Sequence, residues 1–143
     1  MLVKEIMTVD VKTISPGSTI QQAGKIMSQA GIGSLIVVEK EMLAGMLTEG
    51  DIIRKVVAKN MLPSKTNVDD VMTTEVVAVG PDTSIEDAAN AMTERRVKRL
   101  PVVTENQLVG IISAMDIVAA QPKMIERIAR LVLMPSKKKL TAG

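Results

Sequence analysis

The feature that most constrains this chain is an ungapped internal repeat. Residues 3–57 align with residues 68–122 at a constant offset of 65. The alignment pairs Val3 with Val68, Met7 with Met72, Thr8 with Thr73, Pro16 with Pro81, Ala23 with Ala88 and Met27 with Met92. It continues through Leu35 with Leu100, Val37 with Val102, Gly45 with Gly110 and Asp51 with Asp116. A unit of about 55 residues buries too little apolar surface to be comfortable alone. Two copies are therefore expected to pack together with approximate two-fold symmetry, copy one over residues 1–62 and copy two over 63–122, leaving 123–143 as an appended helix and basic tail.

Each copy has the same local grammar. A lead segment, Val3 to Thr8, precedes a short apolar stretch over Val11–Ile14, and Pro16-Gly17 makes a turn. Ser18 or Thr19 then caps a helix in which Ile20, Ala23, Ile26 or Met27 and Ala30 follow helical spacing, ended by Gly31 and Gly33. Leu35–Val38 and Leu43–Leu47 read as two strands about the polar turn Glu39–Glu41. Thr48 begins a second helix with Ile52, Ile53, Val56 and Val57 inward, and Pro63 ends the unit. Copy two predicts a strand near Val76–Val79, a helix over Ile85–Arg95, strands Pro101–Val103 and Leu108–Ile112 about Glu105-Asn106, and a helix from Ser113. The order is β-α-β-β-α twice, an α+β fold. Beyond Pro122, Met124, Ile125, Ile128, Leu131 and Val132 mark an amphipathic helix ended by Pro135, whose apolar face lies on the body or meets a second chain. Ser136–Gly143 reads as disordered.

Composition narrows the chemistry. The 143 residues contain no His, Cys, Phe, Tyr or Trp. Thiolate metal sites, disulfides and His-dependent triads are thereby excluded, and an enzyme would need carboxylate, Lys or Ser chemistry, for which no constellation stands outside the repeat. No aromatic platform can stack a base, which disfavours single-strand nucleic-acid binding. The core must be aliphatic, with eleven Met as filler. Acidic residues such as Asp69, Asp70 and Glu126 have no metal-ligand spacing, so no metal site is assigned. Apolar runs are short and a signal-peptide layout is lacking, so a cytoplasmic protein without membrane attachment is expected. Net charge is +2, yet Arg95, Arg96, Lys98 and Arg99 cluster and Lys137–Lys139 form a run in the tail.

The most suggestive motif is Gly45-Met-Leu-Thr48-Glu-Gly-Asp51, which returns as Gly110-Ile-Ile-Ser113-Ala-Met-Asp116. Its hydroxyl and acid three residues on suit a capping box, which needs no ligand. The same helix start also suits a phosphate, and the carboxylate suits vicinal hydroxyls. Together with the V-x-x-[IV]-M-T lead, the A-x-x-x-M helix and Leu100-Pro101-Val102-Val103, the chain resembles a tandem pair of CBS domains, the unit named after cystathionine β-synthase, over about residues 1–122.

That resemblance implies a regulatory module, with no catalytic residues and no required cofactor, that binds AMP, ADP, ATP or S-adenosylmethionine in clefts between the repeats. It implies that Thr48 and Ser113 meet phosphate while Asp51 and Asp116 hold ribose hydroxyls. It further groups Ser113 and Asp116 with Thr8, Lys12, Ile32 and Gly33, and Thr48 and Asp51 with Thr73, Val77, Val97, Lys98 and Arg99. On that grouping the Thr48 site has the cations and prefers phosphorylated ligands. A homodimer whose helix faces form a flat four-repeat disc is expected, signalling to a protein partner. The alternative is a nucleic-acid-binding regulator using Arg95–Arg99 and the Lys tail.

Overall fold

Capping and turn chemistry decide where the elements begin and end. The computed structural model describes residues 1–133. In chain order the elements are β1 (Thr13–Ile14), α1 (Ile20–Ala30), β2 (Ser34–Glu39), β3 (Met42–Thr48), α2 (Glu49–Ile52, continued by a π turn over Ile53–Val57), α3 (Ile85–Arg95), β4 (Arg99–Thr104), β5 (Gln107–Ser113), α4 (Ala114–Ala120) and α5 (Ile125–Leu133). Of the two candidate caps for α1, Thr19 serves. Its Oγ1 accepts from the Gln22 N–H at 3.1 Å, and Gln22 Oε1 accepts from the Thr19 N–H at 2.9 Å. Both hairpins turn on two residues of positive φ, Lys40-Glu41 and Glu105-Asn106, the geometry that matches strand twist.

The chain divides into two compact units that cut across the two copies. The first, called the Thr48 unit below, holds Val11–Val76 and the hairpin tip Glu105–Leu108; the second, the Ser113 unit, holds Met1–Asp10, Val77–Thr104 and 109–133. Each copy thus lends its lead segment to the unit built by the other.

In the Thr48 unit, β1 runs parallel to β2 through Thr13 and Ile36 and through Ile14 and Val37, and β2 pairs antiparallel with β3 from Ser34–Thr48 to Glu39–Met42. Ile20, Ala23 and Met27, at helical spacing, bury against Leu35, Val37 and Leu47. The borrowed segment closes this core with Val68 and Val71. It is held by backbone bonds from Val68 N–H to Ser18 O at 2.8 Å and from Ile20 N–H to Thr66 O at 2.8 Å. Met42 pairs with Gln107 of the hairpin tip.

The Ser113 unit repeats the scheme. β4 and β5 are neighbours, and Ala88, Ala89 and Met92 of α3 bury against Leu100, Val102 and Ile112. The chain's own start closes the core: Val3 is fully buried, its N–H donates to Thr83 O at 2.8 Å, and Leu2 bridges Ser84. Met124, Ile128 and Leu131 are buried in the same core, so the amphipathic helix lies on the body of this unit. Val132's side chain, Pro135, Ser136–Gly143 and Lys137–Lys139 fall outside the described residues.

Two expectations need correction. The predicted strand near Val76–Val79 shrinks to one parallel bridge between Val79 and Val102. Val79 N–H donates to Pro101 O at 3.0 Å and Val103 N–H to Val79 O at 2.9 Å. The next rung would need an N–H from Pro101, which has none. The other correction concerns the second helix: Val56 is buried, whereas Ile53 and Val57 are 59% and 65% exposed. Ile52 and Val56 lie on one stripe that meets the core, whereas Ile53 and Val57 lie on the next stripe round the helix and face away from it.

Candidate functional site

The two recurrent turns are built from the same four constraints. A strand delivers the hydroxyl residue, a glycine three positions earlier lets the lead segment approach, the hydroxyl caps a helix, and the acid returns the bond. At Gly45, a Cβ would lie 2.7 Å from Thr73 O, and Met46 and Thr73 exchange both backbone bonds at 2.9 Å. At Gly110, a Cβ would lie 2.9 Å from Thr8 O, with Thr8 and Ile111 exchanging the same pair at 2.9 Å. Only glycine admits the neighbouring backbone at these positions.

Both turns are complete capping boxes. Thr48 Oγ1 accepts from the Asp51 N–H at 3.1 Å and Asp51 Oδ2 accepts from the Thr48 N–H at 3.1 Å. Ser113 Oγ accepts from the Asp116 N–H at 3.1 Å and Asp116 Oδ2 accepts from the Ser113 N–H at 2.8 Å. The following N–H groups are held too: Glu49 N–H donates to Gly33 O at 3.0 Å, and Ala114 N–H to Lys98 O at 2.9 Å.

Those last two bonds fix which residues neighbour each turn within its own unit. Lys12, Ile32 and Gly33 belong to the Thr48 unit together with Thr48, Asp51 and Thr73; Val77, Val97, Lys98 and Arg99 belong to the Ser113 unit together with Thr8, Ser113 and Asp116. Antiparallel register accounts for the two bonds: a residue entering the first strand of a hairpin must lie beside the residue leaving the second. Ser34 faces Thr48 directly. The cations Lys98 and Arg99, both exposed, are therefore in the unit of Ser113 and not in that of Thr48.

The carboxylates differ in surroundings. Asp51 is 3% exposed, and its Oδ1 lies 3.4 Å from Arg54 Nη2 and 3.6 Å from Lys55 Nζ. Lys55 Nζ also donates to Val71 O at 2.9 Å. Asp116 is half-buried, and among the described residues its Oδ1 has no hydrogen-bond or ion-pair partner. Ala119 and Ala120 stand where Arg54 and Lys55 stand in the first copy. Arg54 and Lys55 were not among the expected site residues; their i+3 and i+4 spacing from Asp51 is the signal that marks them. No group of acidic residues among the described residues is placed to hold a metal.

The CBS domain family profile matches residues 3–58 and 68–123. The chain belongs to the CBS-domain family. The CBS domain-containing protein YhcV of Bacillus subtilis is 42% identical over 119 residues, 83% of this chain and 84% of that protein. Other curated relatives are longer, the chain spanning 65% and 52% of two of them. Among solved structures, a signal-transduction protein with CBS domains from Burkholderia ambifaria superposes with a TM-score of 0.77 at 33% identity, covering 84% of this chain and 93% of that one. CBSX2, solved in complex with AMP, superposes with a TM-score of 0.73 at 25% identity, covering 86% and 97%. Two CBS repeats in an α+β fold are thus the framework of this protein, and no helix among the described residues is long and apolar enough to cross a membrane.

Proposed function

We propose that this CBS pair is a regulatory sensor of an adenine nucleotide, with the Ser113–Asp116 turn as its principal site. The observation that carries this reading is Asp116: a half-buried carboxylate with one oxygen unpartnered among the described residues, at a helix start whose unit also bears exposed Lys98 and Arg99. A carboxylate oxygen with open lone pairs accepts the two hydroxyls of a ribose, while the two cations match phosphate. The AMP complex of CBSX2 supports the ligand class. The role is regulatory and not catalytic: the protein has no His or Cys, and the turn's polar atoms are largely spent on capping. Binding energy goes into shifting a conformational equilibrium that a protein partner reads, in a cytoplasmic homodimer.

Calorimetric titration of AMP, ADP, ATP and S-adenosylmethionine tests it. The wild type takes up at least one of them, and Asp116→Ala loses the tightest binding step. If none gives heat, or if Asp116→Ala and Asp51→Ala both leave binding unchanged, the reading is wrong. Strongly salt-dependent oligonucleotide binding that no nucleotide alters would instead favour the Arg95–Arg99 cluster as a nucleic-acid contact.

A further inference from the structure

Beyond the Ser113 turn, the charges around Asp51 have a logic of their own. Capping takes Asp51 Oδ2 in the Thr48 turn as it takes Asp116 Oδ2 in the Ser113 turn. The difference is Oδ1, which in Asp51 faces both Arg54 and Lys55. The amine of Lys55 then reaches Val71 O, in the segment that the second copy lends to this unit. A π turn over Ile53–Val57 carries both cations; α4, which follows Asp116's turn, has no such turn and presents Ala119 and Ala120.

We infer that Arg54 and Lys55 are a built-in counter-ion on Asp51 that a ligand's diol must displace, making them the specificity-determining residues that set the order in which the two turns fill. This inference rests on the nucleotide reading above. A neutral diol gains little from a carboxylate already paired with two cations, because a new bond replaces an existing one. It gains fully from Asp116, whose Oδ1 is open. A phosphorylated ligand differs, since the displaced Arg54 and Lys55 can turn to its phosphate. The Thr48 turn therefore discriminates by charge, accepting phosphorylated nucleosides and rejecting bare ones, whereas the Ser113 turn takes both. Ligand at the Thr48 turn also frees Lys55 from Val71 O, loosening the borrowed segment at its anchor.

Adenosine, which has the diol and no phosphate, is the discriminating probe. In full-length protein carrying Asp116→Ala, adenosine binding at the Thr48 turn is weak, and adding Arg54→Met and Lys55→Met strengthens it by about three- to tenfold, the scale of half-exposed ion pairs. AMP moves the opposite way in the same variants, weakening as its cations are lost. Lys55→Arg, which keeps the charge, retains the wild-type order of filling, and amide NMR spectra confirm that each variant is folded. Adenosine affinity unchanged or reduced in the double-Met protein, or equal filling of both turns by adenosine in the wild type, would overturn the inference while leaving the nucleotide reading intact. Failure of adenosine, AMP, ADP, ATP and S-adenosylmethionine alike to bind the wild type would overturn both.

Discussion

Arg96 shows how one residue's backbone separates the two copies. It occupies the place of Gly31, ending α3 in the left-handed region with φ +55, as Gly31 ends α1 with φ +65. A side chain in that region is strained where glycine is not, and glycine is favoured at this helix position. Arg96→Gly is therefore expected to stabilise the protein by about 1 kcal/mol, read as a higher urea midpoint at unchanged slope. Gly110 has the converse constraint. A Cβ there meets Thr8 O, a backbone atom that cannot rotate away. Gly110→Ala should cost about 1–3 kcal/mol, measurable in the same urea series, and it should displace the Thr8–Ile111 bridge beside the Ser113 turn.

At the scale of elements, hairpin chemistry dominates. Lys40 holds φ +52 at the first central position of its turn, where Asn is the better residue, so Lys40→Asn should raise stability by about 0.5 kcal/mol in thermal unfolding. Much of this level was readable in advance. Thr19, Gly31, the two hairpin turns and the paired capping boxes all announced themselves through residue types with local preferences. The missing strand near Val76–Val79 was not readable from its own letters, because the obstacle is Pro101 on the neighbouring strand. The π turn and the Arg54–Asp51–Lys55 cluster likewise arise from how α2 continues rather than from its apolar spacing. As for the site, Thr48, Asp51, Ser113 and Asp116 stand as capping pairs as their spacing required. The backbone neighbours of these turns come from strand pairing, which ties Gly33 to Glu49 and Lys98 to Ala114 and which the matching of letters across the repeat does not display.

For the molecule as a whole, an ungapped repeat reveals its period but not its phase. Residues 1–62 and 63–122 are equal cuts of a sequence that has no marked beginning, and only the structure shows that Met1–Asp10 closes the Ser113 core while Val68 and Val71 close the Thr48 core. Removal of Met1–Asp10 should consequently weaken the second copy rather than the first. Hydrogen exchange should accelerate at Ile112 and Ile117 while Leu35 and Leu47 keep their protection; equal loss in both sets would contradict the division. The same arrangement orders the protein's birth. As the chain leaves a ribosome, the Thr48 core has all its buried residues once Val71 is out, but Val3 must wait for Ile112, Ile117 and Leu131. Such a wide separation makes closure slow. The nascent protein thus passes through a stage with one core filled and the apolar segment Met1–Asp10 still without its own, the interval in which a chaperone has most to protect.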